Sequence, residues 1–410
     1  MALQAAFALN ANEIFSTLAN MIISQQVFAD NLGKNQTLVD QARVDGGLYG
    51  DKKLYYATDV LKSNEWGADS EASNLLALAR PADPKVQSIT LDKFRQIRLT
   101  VDNYLTKRGF GTEGAFADFN GVMLGWIRDT KKVYDGTLYN TFIGATETST
   151  GKQIKTIDLG TGSGHPLYNL TGVEKEQMEA MLIAQGMADL FVEMGDYSKD
   201  FNDYQFLRSY AEDGIKVIWN AKYVNKIRKV DTPTIFHRDG LVDKLEENIL
   251  PARYFGTTIY TSNVSTGEYQ HTANLSTYSA STPTTGKPIN SSTGAYTPGS
   301  NNANGTIRSL VEREVTVSAT TYHVFPGDEI PAGATVAASS ADFGDGEVYI
   351  EDANVICKVL VKLPPYMSAF EVGTTFFNPR SLTENHYLTW GYNTLRYLKN
   401  YPFITVKKSA

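Results

Sequence analysis

The stretch Thr112–Ile143, TEGAFADFNGVMLGWIRDTKKVYDGTLYNTFI, constrains the fold more than any other part of the chain. Apolar residues recur at Phe116, Phe119, Met123, Trp126/Ile127, Tyr134, Leu138 and Phe142. Those steps lay one apolar stripe along one side of a helix. Thr112 followed by Glu113 suits an N-terminal cap with a favourable first-turn charge. At about 1.5 Å of rise per residue, the helix makes a rod of about 45 Å. Gly121, Gly125 and Gly136 fall inside it, and each weakens a helix by about 0.8–1 kcal/mol relative to alanine. The sequence therefore predicts a bent or segmented rod. A helix of this length, with an extended hairpin before it and mixed α/β sequence after it, suits structural work better than an active-site scaffold.

The rest of the chain is long enough, at 410 residues, for two or three domains and a large core. Hydrophobic residues make up 42% and charged residues 20%, which excludes global disorder. A net charge of -7 gives no electrostatic case for a nucleic-acid binder. The basic pairs Lys131-Lys132 and Lys407-Lys408 read as solvated faces. The 23 tyrosines and 19 phenylalanines favour large contact surfaces. The single cysteine, Cys357, excludes an intrachain disulfide. It sits among Val355, Val359 and Val361 on an alternating run, so it reads as a small buried hydrophobe rather than a nucleophile. No apolar run approaches the roughly twenty residues needed to span a bilayer. The opening MALQAAFALNANEIF lacks a basic leader, so a reducing cytoplasm is the expected site of synthesis.

Taken in order, residues 1–45 carry Phe7, Ile14, Phe15, Leu18, Ile22 and Ile23, then turn polar. They read as a short helix and an extended arm, either packed on its own body or laid on a neighbour. Residues 46–111 read as a long hairpin. Leu54, Tyr56, Thr58 and Val60 share a face on the first limb, and Ile89, Leu91, Ile97, Leu99 and Val101 alternate on the return limb. The excursion between them holds Trp66, Leu75, Leu76 and Leu78, to be covered by a partner or by the chain's own core. After the rod come a helix Val173–Met194 with Met178, Met181, Ala184, Ala188, Phe191 and Met194 along one side, and a second helix Phe201–Ala211. A buried strand Ile215–Trp219, a short basic helix Lys222–Lys229 and a strand Thr257–Tyr260 follow. Residues 261–306 are dominated by Ser, Thr, Asn, Gly and Pro and read as an exposed, low-complexity excursion. Its sequons at Asn263, Asn274, Asn290 and Asn304 reflect composition rather than glycosylation. From Arg313 the chain is β-rich, and its last two strands are broken at Pro402.

Local catalytic motifs are sparse. The run Asp158-Leu-Gly-Thr-Gly-Ser-Gly164 is similar to the glycine-rich motif of methyltransferases that use S-adenosylmethionine. In that family a helix follows the loop at once; here Pro166, Asn169 and Gly172 intervene. Glu179 and Asp189 stand near the distance of the ribose-binding acid but inside a helical pattern. Lys362-Leu-Pro-Pro-Tyr366 resembles that family's catalytic loop without its leading Asn or Asp. A plain glycine turn is the preferred reading. Asp342, Asp345, Glu347, Glu351 and Asp352 lack the alternate spacing of a calcium loop. His165, His237, His271, His323 and His386 are dispersed, and no pair has metal-ligand spacing. No catalytic, cofactor-binding or metal residues are assigned, and an enzyme is not expected.

Four stretches carry a wider resemblance: the hairpin Leu54–Leu105, the rod Thr112–Ile143, the run VIWNAKYVNKIRK…ILPARYFGTTIYTSN, and the end GYNTLRYLKNYPFITVKK. Their order resembles the major capsid protein of tailed bacteriophages, the Hong Kong 97-type fold. The resemblance implies an α+β chain with an N-terminal arm (1–45), an extended hairpin loop (46–111) and a peripheral domain with its spine helix (112–214). It also implies an axial domain in two parts (215–260 and 346–385), a Ser/Thr/Asn/Gly-rich and β insertion (261–345), and returning strands of the peripheral domain (386–410). In that family the hairpin reaches over a neighbouring subunit. The implied function is self-assembly into an icosahedral head around double-stranded DNA. The implied partners are further copies of the chain in hexamers and pentamers, a portal protein, a decoration protein, and packaged DNA by non-specific contact. Only about 45 residues precede the hairpin, which implies a separate scaffolding protein or none. No membrane partner is expected, and the implied location is the virion. A tail or baseplate protein with an outward insertion is the alternative, and the methyltransferase reading ranks below it.

Overall fold

The computed structural model describes residues 37–45, 52–63, 80–102, 113–148, 152–228, 248–260, 273–274, 279–280, 289–290, 306–331 and 348–409. The expected N-terminal helix, Trp66, the Leu75–Leu78 cluster, most of the 261–306 excursion, Asp342, Asp345, Glu347, His237 and His271 lie outside the described residues. The architecture mixes helices and sheets. The first half runs α1 (Thr37–Ala42), β1 (Arg43–Asp45), β2 (Lys52–Ala57), β3 (Lys85–Asp102), α2 (Glu113–Ala145), β4 (Ile154–Ile157), α3 (Gly172–Gly195), β5 (Lys216–Asn220), α4 (Ala221–Arg228), β6 (Asn248–Leu250) and β7 (Gly256–Tyr260). The second half runs β8 (Ala273–Asn274), β9 (Ser279–Ala280), β10 (Ile289–Asn290), β11 (Ile307–Ser309), β12 (Arg313–Val317), β13 (Thr320–Val324), β14 (Val348–Glu351), β15 (Val355–Leu360), β16 (Tyr366–Asn378), β17 (Thr383–Asn393) and β18 (Phe403–Lys408). The chain forms two compact units. The first holds Met1–Lys52, Thr90–Thr137 and Tyr366–Thr394; the second holds Lys53–Ile89, Leu138–Pro365 and Leu395–Ala410. The sequence blocks 112–214, 346–385 and 386–410 thus each contribute to both units.

In the first unit β17 lies between β16 and β3 and is antiparallel to both. Short β1 runs parallel to the start of β16. The face of β17 that carries His386, Leu388, Trp390 and Tyr392 is buried. Tyr134 from α2 packs edge-on against Trp390 and Tyr392, at 5.8 and 5.9 Å between ring centroids. Its hydroxyl lies 2.7 Å from that of Tyr392. Beside it Lys131 donates to Asp135 at 3.1 Å, and Tyr366 donates to the same carboxylate at 2.6 Å. Desolvation pushes the Asp135 carboxyl above the usual carboxylate range, against the pull of Lys131. Lys131 is therefore a buried, doubly paired cation, 3.3 Å from Glu371, and not the solvated residue the sequence suggested. The rod is one uninterrupted helix, not segmented, despite its glycines.

In the second unit a five-stranded sheet has the order β4-β18-β15-β5-β6. Helix α3 covers one face. Its buried residues Ala180, Ile183, Ala184, Met187, Leu190, Phe191 and Met194 pack on Val217, Trp219, Cys357, Val359, Ile404 and Val406. The expected stripe is rotated: Met181 points outward, because steps that average below 3.6 residues drift across the helix face. Residues 201–211 are turns, not a helix. Asn202 explains this: its side chain both accepts the Phe206 N–H at 2.8 Å and donates to the Phe206 carbonyl at 2.7 Å, closing a loop that competes with helical bonding. β15 is buried at every position, so its covered faces replace the alternation read from sequence. Lys358 lies inside it, donating to the Thr146 carbonyl at 2.7 Å and to Thr405 Oγ1 at 2.9 Å. Burial lowers its pKa to about 7, with the charge of Glu147 the largest opposing influence. Lys407 is likewise half-buried on Glu147, at 2.8 Å, so it too is not simply solvated. Gly144 touches the Tyr254 carbonyl so closely that any side chain there would collide with it.

Candidate assembly surfaces

The motifs that could have carried chemistry are occupied structurally. Asp158 Oδ1 accepts the Gly160 N–H at 2.9 Å and the Ser409 hydroxyl at 3.0 Å, which holds its pKa below the usual range. The loop turns through Gly164 and Asn169, both at positive φ, and α3 starts only at Gly172. β4, which precedes the loop, is an edge strand of a mixed sheet rather than the central parallel strand that a dinucleotide or S-adenosylmethionine cradle requires. Glu179 is buried on α3 and Asp189 is on the same helix, neither at a strand end. In Lys362–Tyr366, the Pro364 carbonyl accepts the Tyr139 hydroxyl at 2.8 Å, and the Tyr366 hydroxyl is committed to Asp135. The Cys357 thiol is fully buried, 3.6 Å from the Met187 sulfur, and burial pushes its pKa up, which keeps it an unreactive thiol.

Ionic groups are also dispersed into separate pairs. Glu351 accepts from Arg308 at 2.9 Å, and Asp352 lies 3.5 Å from Lys407. His165 lies 3.8 Å from Asp158, His323 lies 2.7 Å from Glu312, and His386 lies 3.8 Å from Glu384. Among the described residues no group of three or more His, Cys, Asp or Glu side chains could hold a metal ion. No described helix is long and apolar enough to cross a membrane.

Among the described residues, two stretches leave several apolar side chains exposed close together. The first is the root of the hairpin in the second unit. Leu54, Tyr56, Val60, Leu61 and Val86 are exposed there, Leu61 at 76%. The face expected from the alternation Leu54, Tyr56, Thr58, Val60 exists, but it points to solvent. The second is the far half of β16 in the first unit. Every residue from Glu371 to Phe377 is exposed, and Phe376 and Phe377 point to opposite sides. β1 covers the strand's outer edge only at Tyr366, Met367 and Ser368. Beyond it no described strand pairs on that side, and such an edge is a template for another chain. Sequence reading missed this strand, because a strand uncovered on both faces has no hydrophobic alternation to find.

No protein-family model matches the sequence, and no curated protein matches it. Solved structures do. The chain superposes on one from the capsid structure of Staphylococcus phage Andhra with a TM-score of 0.54, covering 94% of this chain and 87% of that one at 10% identity. The chain has a phage capsid fold. A chain from the structure of the head fiber and inner core protein gp22 of native bacteriophage P68 agrees, with a TM-score of 0.52, covering 90% of this chain and 83% of that one at 10% identity. At such identity the fold is shared while few side chains are, so the exposed apolar surfaces above belong to this chain's own residues.

Proposed function

We propose that this chain is the major capsid protein of a tailed phage, self-assembling into the icosahedral head that encloses double-stranded DNA. One observation carries the reading: nearly the whole chain follows a phage capsid subunit. Two features support it. Apolar side chains are left wet on the hairpin and on the far half of β16, whose outer edge has no described partner, where adjacent copies would cover them. The catalytic motifs, by contrast, are spent on internal bonds. In this reading residues 1–45 are the arm, 46–111 the extended loop, 112–214 the peripheral domain with α2 as its spine, and 215–260 with 346–385 the axial domain. Residues 261–345 form the outward insertion, and 386–410 return to the peripheral domain. The partners are further copies in hexamers and pentamers, a portal protein, and scaffolding and decoration proteins where the phage encodes them. Packaged DNA touches the acidic shell non-specifically. The subunit is made in the host bacterial cytoplasm and ends in the virion. Electron microscopy of the purified protein tests this: closed shells, hexamers or pentamers are expected, whereas tubes, rings or trimeric spikes would point to a tail or baseplate role.

A further inference from the structure

We propose that Asp59, Arg208 and Lys362, with Gln87 on the return limb, form a clamp that presets how the segment following β2 is held against the rest of the second unit. The purpose of the clamp rests on the assembly reading; its existence rests on local geometry alone.

The first limb is gripped directly after β2. Asp59 Oδ1 accepts the Leu207 N–H at 3.0 Å and the Val60 N–H at 2.9 Å. The second bond orients the carboxylate, and the first ties it to a loop far away in sequence. The next residue of that loop, Arg208, donates to the Thr58 carbonyl and to the Leu207 carbonyl at 3.1 Å. Consecutive residues thus hold consecutive residues. One such bond would act as a swivel; two side by side fix rotation as well as position. Tyr55, within β2, adds a third point. The Lys362 ammonium lies 5.4 Å from the Tyr55 ring centroid and 5.4 Å from that of Tyr401, an arrangement that favours the cation over both ring faces.

The return limb is gripped separately. Gln87 is buried, donating to the Tyr397 carbonyl at 2.8 Å and accepting the Lys399 N–H at 3.0 Å. Its amide behaves as a strand partner to residues 397–399. That receiving segment is itself pinned, because Asp203 accepts the Tyr397 hydroxyl and donates its N–H to the Lys399 carbonyl at 2.8 Å. Residues 58–63, TDVLKS, contain no glycine, so the segment leaving the clamp lacks the most permissive backbone. Val60 and Leu61, both exposed, come immediately after it. What the clamp fixes is therefore where Val60 and Leu61 point before any neighbour arrives, which lowers the ordering cost of association.

The test places spin labels at Leu61→Cys and Tyr197→Cys, both exposed positions, in the full-length chain; buried Cys357 does not label. In dilute unassembled protein the parent is expected to give one narrow distance distribution. Asp59→Ala with Arg208→Ala is expected to lose the narrow peak while the far-ultraviolet spectrum and unfolding midpoint stay near those of the parent. Gln87→Leu, acting on the other limb, provides a second variant should the first fail to fold. A narrow, unshifted distribution in a folded clamp variant would overturn the proposal. Assembly is scored separately by microscopy, where the clamp variants are expected to give malformed particles in place of uniform shells. Absence of shells from the parent would count against the capsid function, while the distance distributions would still decide the clamp.

Discussion

Strands β15 and β16 follow one another in the chain, yet they meet opposite fates. Val355–Leu360 are buried at every position, between β18 and β5 and beneath α3. Glu371–Phe377 are exposed at every position, with β17 on one side and no described strand on the other. The first strand is finished by its own fold, down to a lysine satisfied by Thr146 and Thr405. The second leaves two phenylalanines wet. Burial thus separates a strand that holds its own unit together from one that stays open to solvent, a distinction that β-propensity alone does not make.

The contrast can be broken most forcefully at the finished strand's neighbour. Trp219 is buried opposite Cys357 in the adjoining strand, and Trp219→Ala is expected to cost about 3–5 kcal/mol in urea unfolding. A loss below about 1 kcal/mol, within the range of ordinary surface changes, would mean that this sheet does not carry the unit's stability.

Lys358→Met sharpens the contrast next, through pH. The parent lysine has a pKa of about 7 when folded. In the unfolded chain it is about 10.4. Between those values the unfolded chain binds more protons, so the parent's stability from this residue rises with pH and is lowest below about 7. The methionine variant is expected to be more stable by about 1–4 kcal/mol near pH 6, with the gap closing as pH approaches about 10. A gap independent of pH would show that the ammonium is not the source.

The smallest stability effect belongs to the unfinished strand. Phe376→Ser with Phe377→Ser is expected to change subunit stability by no more than about 0.5 kcal/mol per site. Particle yield measured by sedimentation is nevertheless expected to fall. A large stability loss would mean that those rings are already covered within the subunit.

The rod was legible in sequence because its period repeats over many turns: residues 112–143 anticipate Glu113–Ala145 within two positions. Strands β5 and β18 were legible as short runs rich in aromatic and β-branched residues, Val217–Trp219 and Phe403–Val406. What escaped was decided by side chains acting across the chain. Nothing local marks Lys131 as buried, although its partner Asp135 is one turn away, and the half-burial of Lys407 on Glu147 depends on a residue remote in sequence. The run from Arg313 to Val324 read only as β-rich; it folds as a hairpin, turning at Ser318 and Ala319 with φ of 50° and 65°, residues that give no glycine or asparagine cue. The hairpin clamp was illegible because Asp59 and Leu207 meet only in the folded chain. The glycine turn after Asp158 was read correctly as a turn, since Pro166 and Asn169 deny it an immediate helix.

Gly121 and Gly125 sit in the first half of the rod, where a methyl group added at either would touch no described atom. Close packing does not demand glycine there, and alanine would firm the helix by about 0.8–1 kcal/mol at each site. The consequence is pliancy. A rod weakened at two points one turn apart costs less to bend there than the same helix with alanine at both positions would.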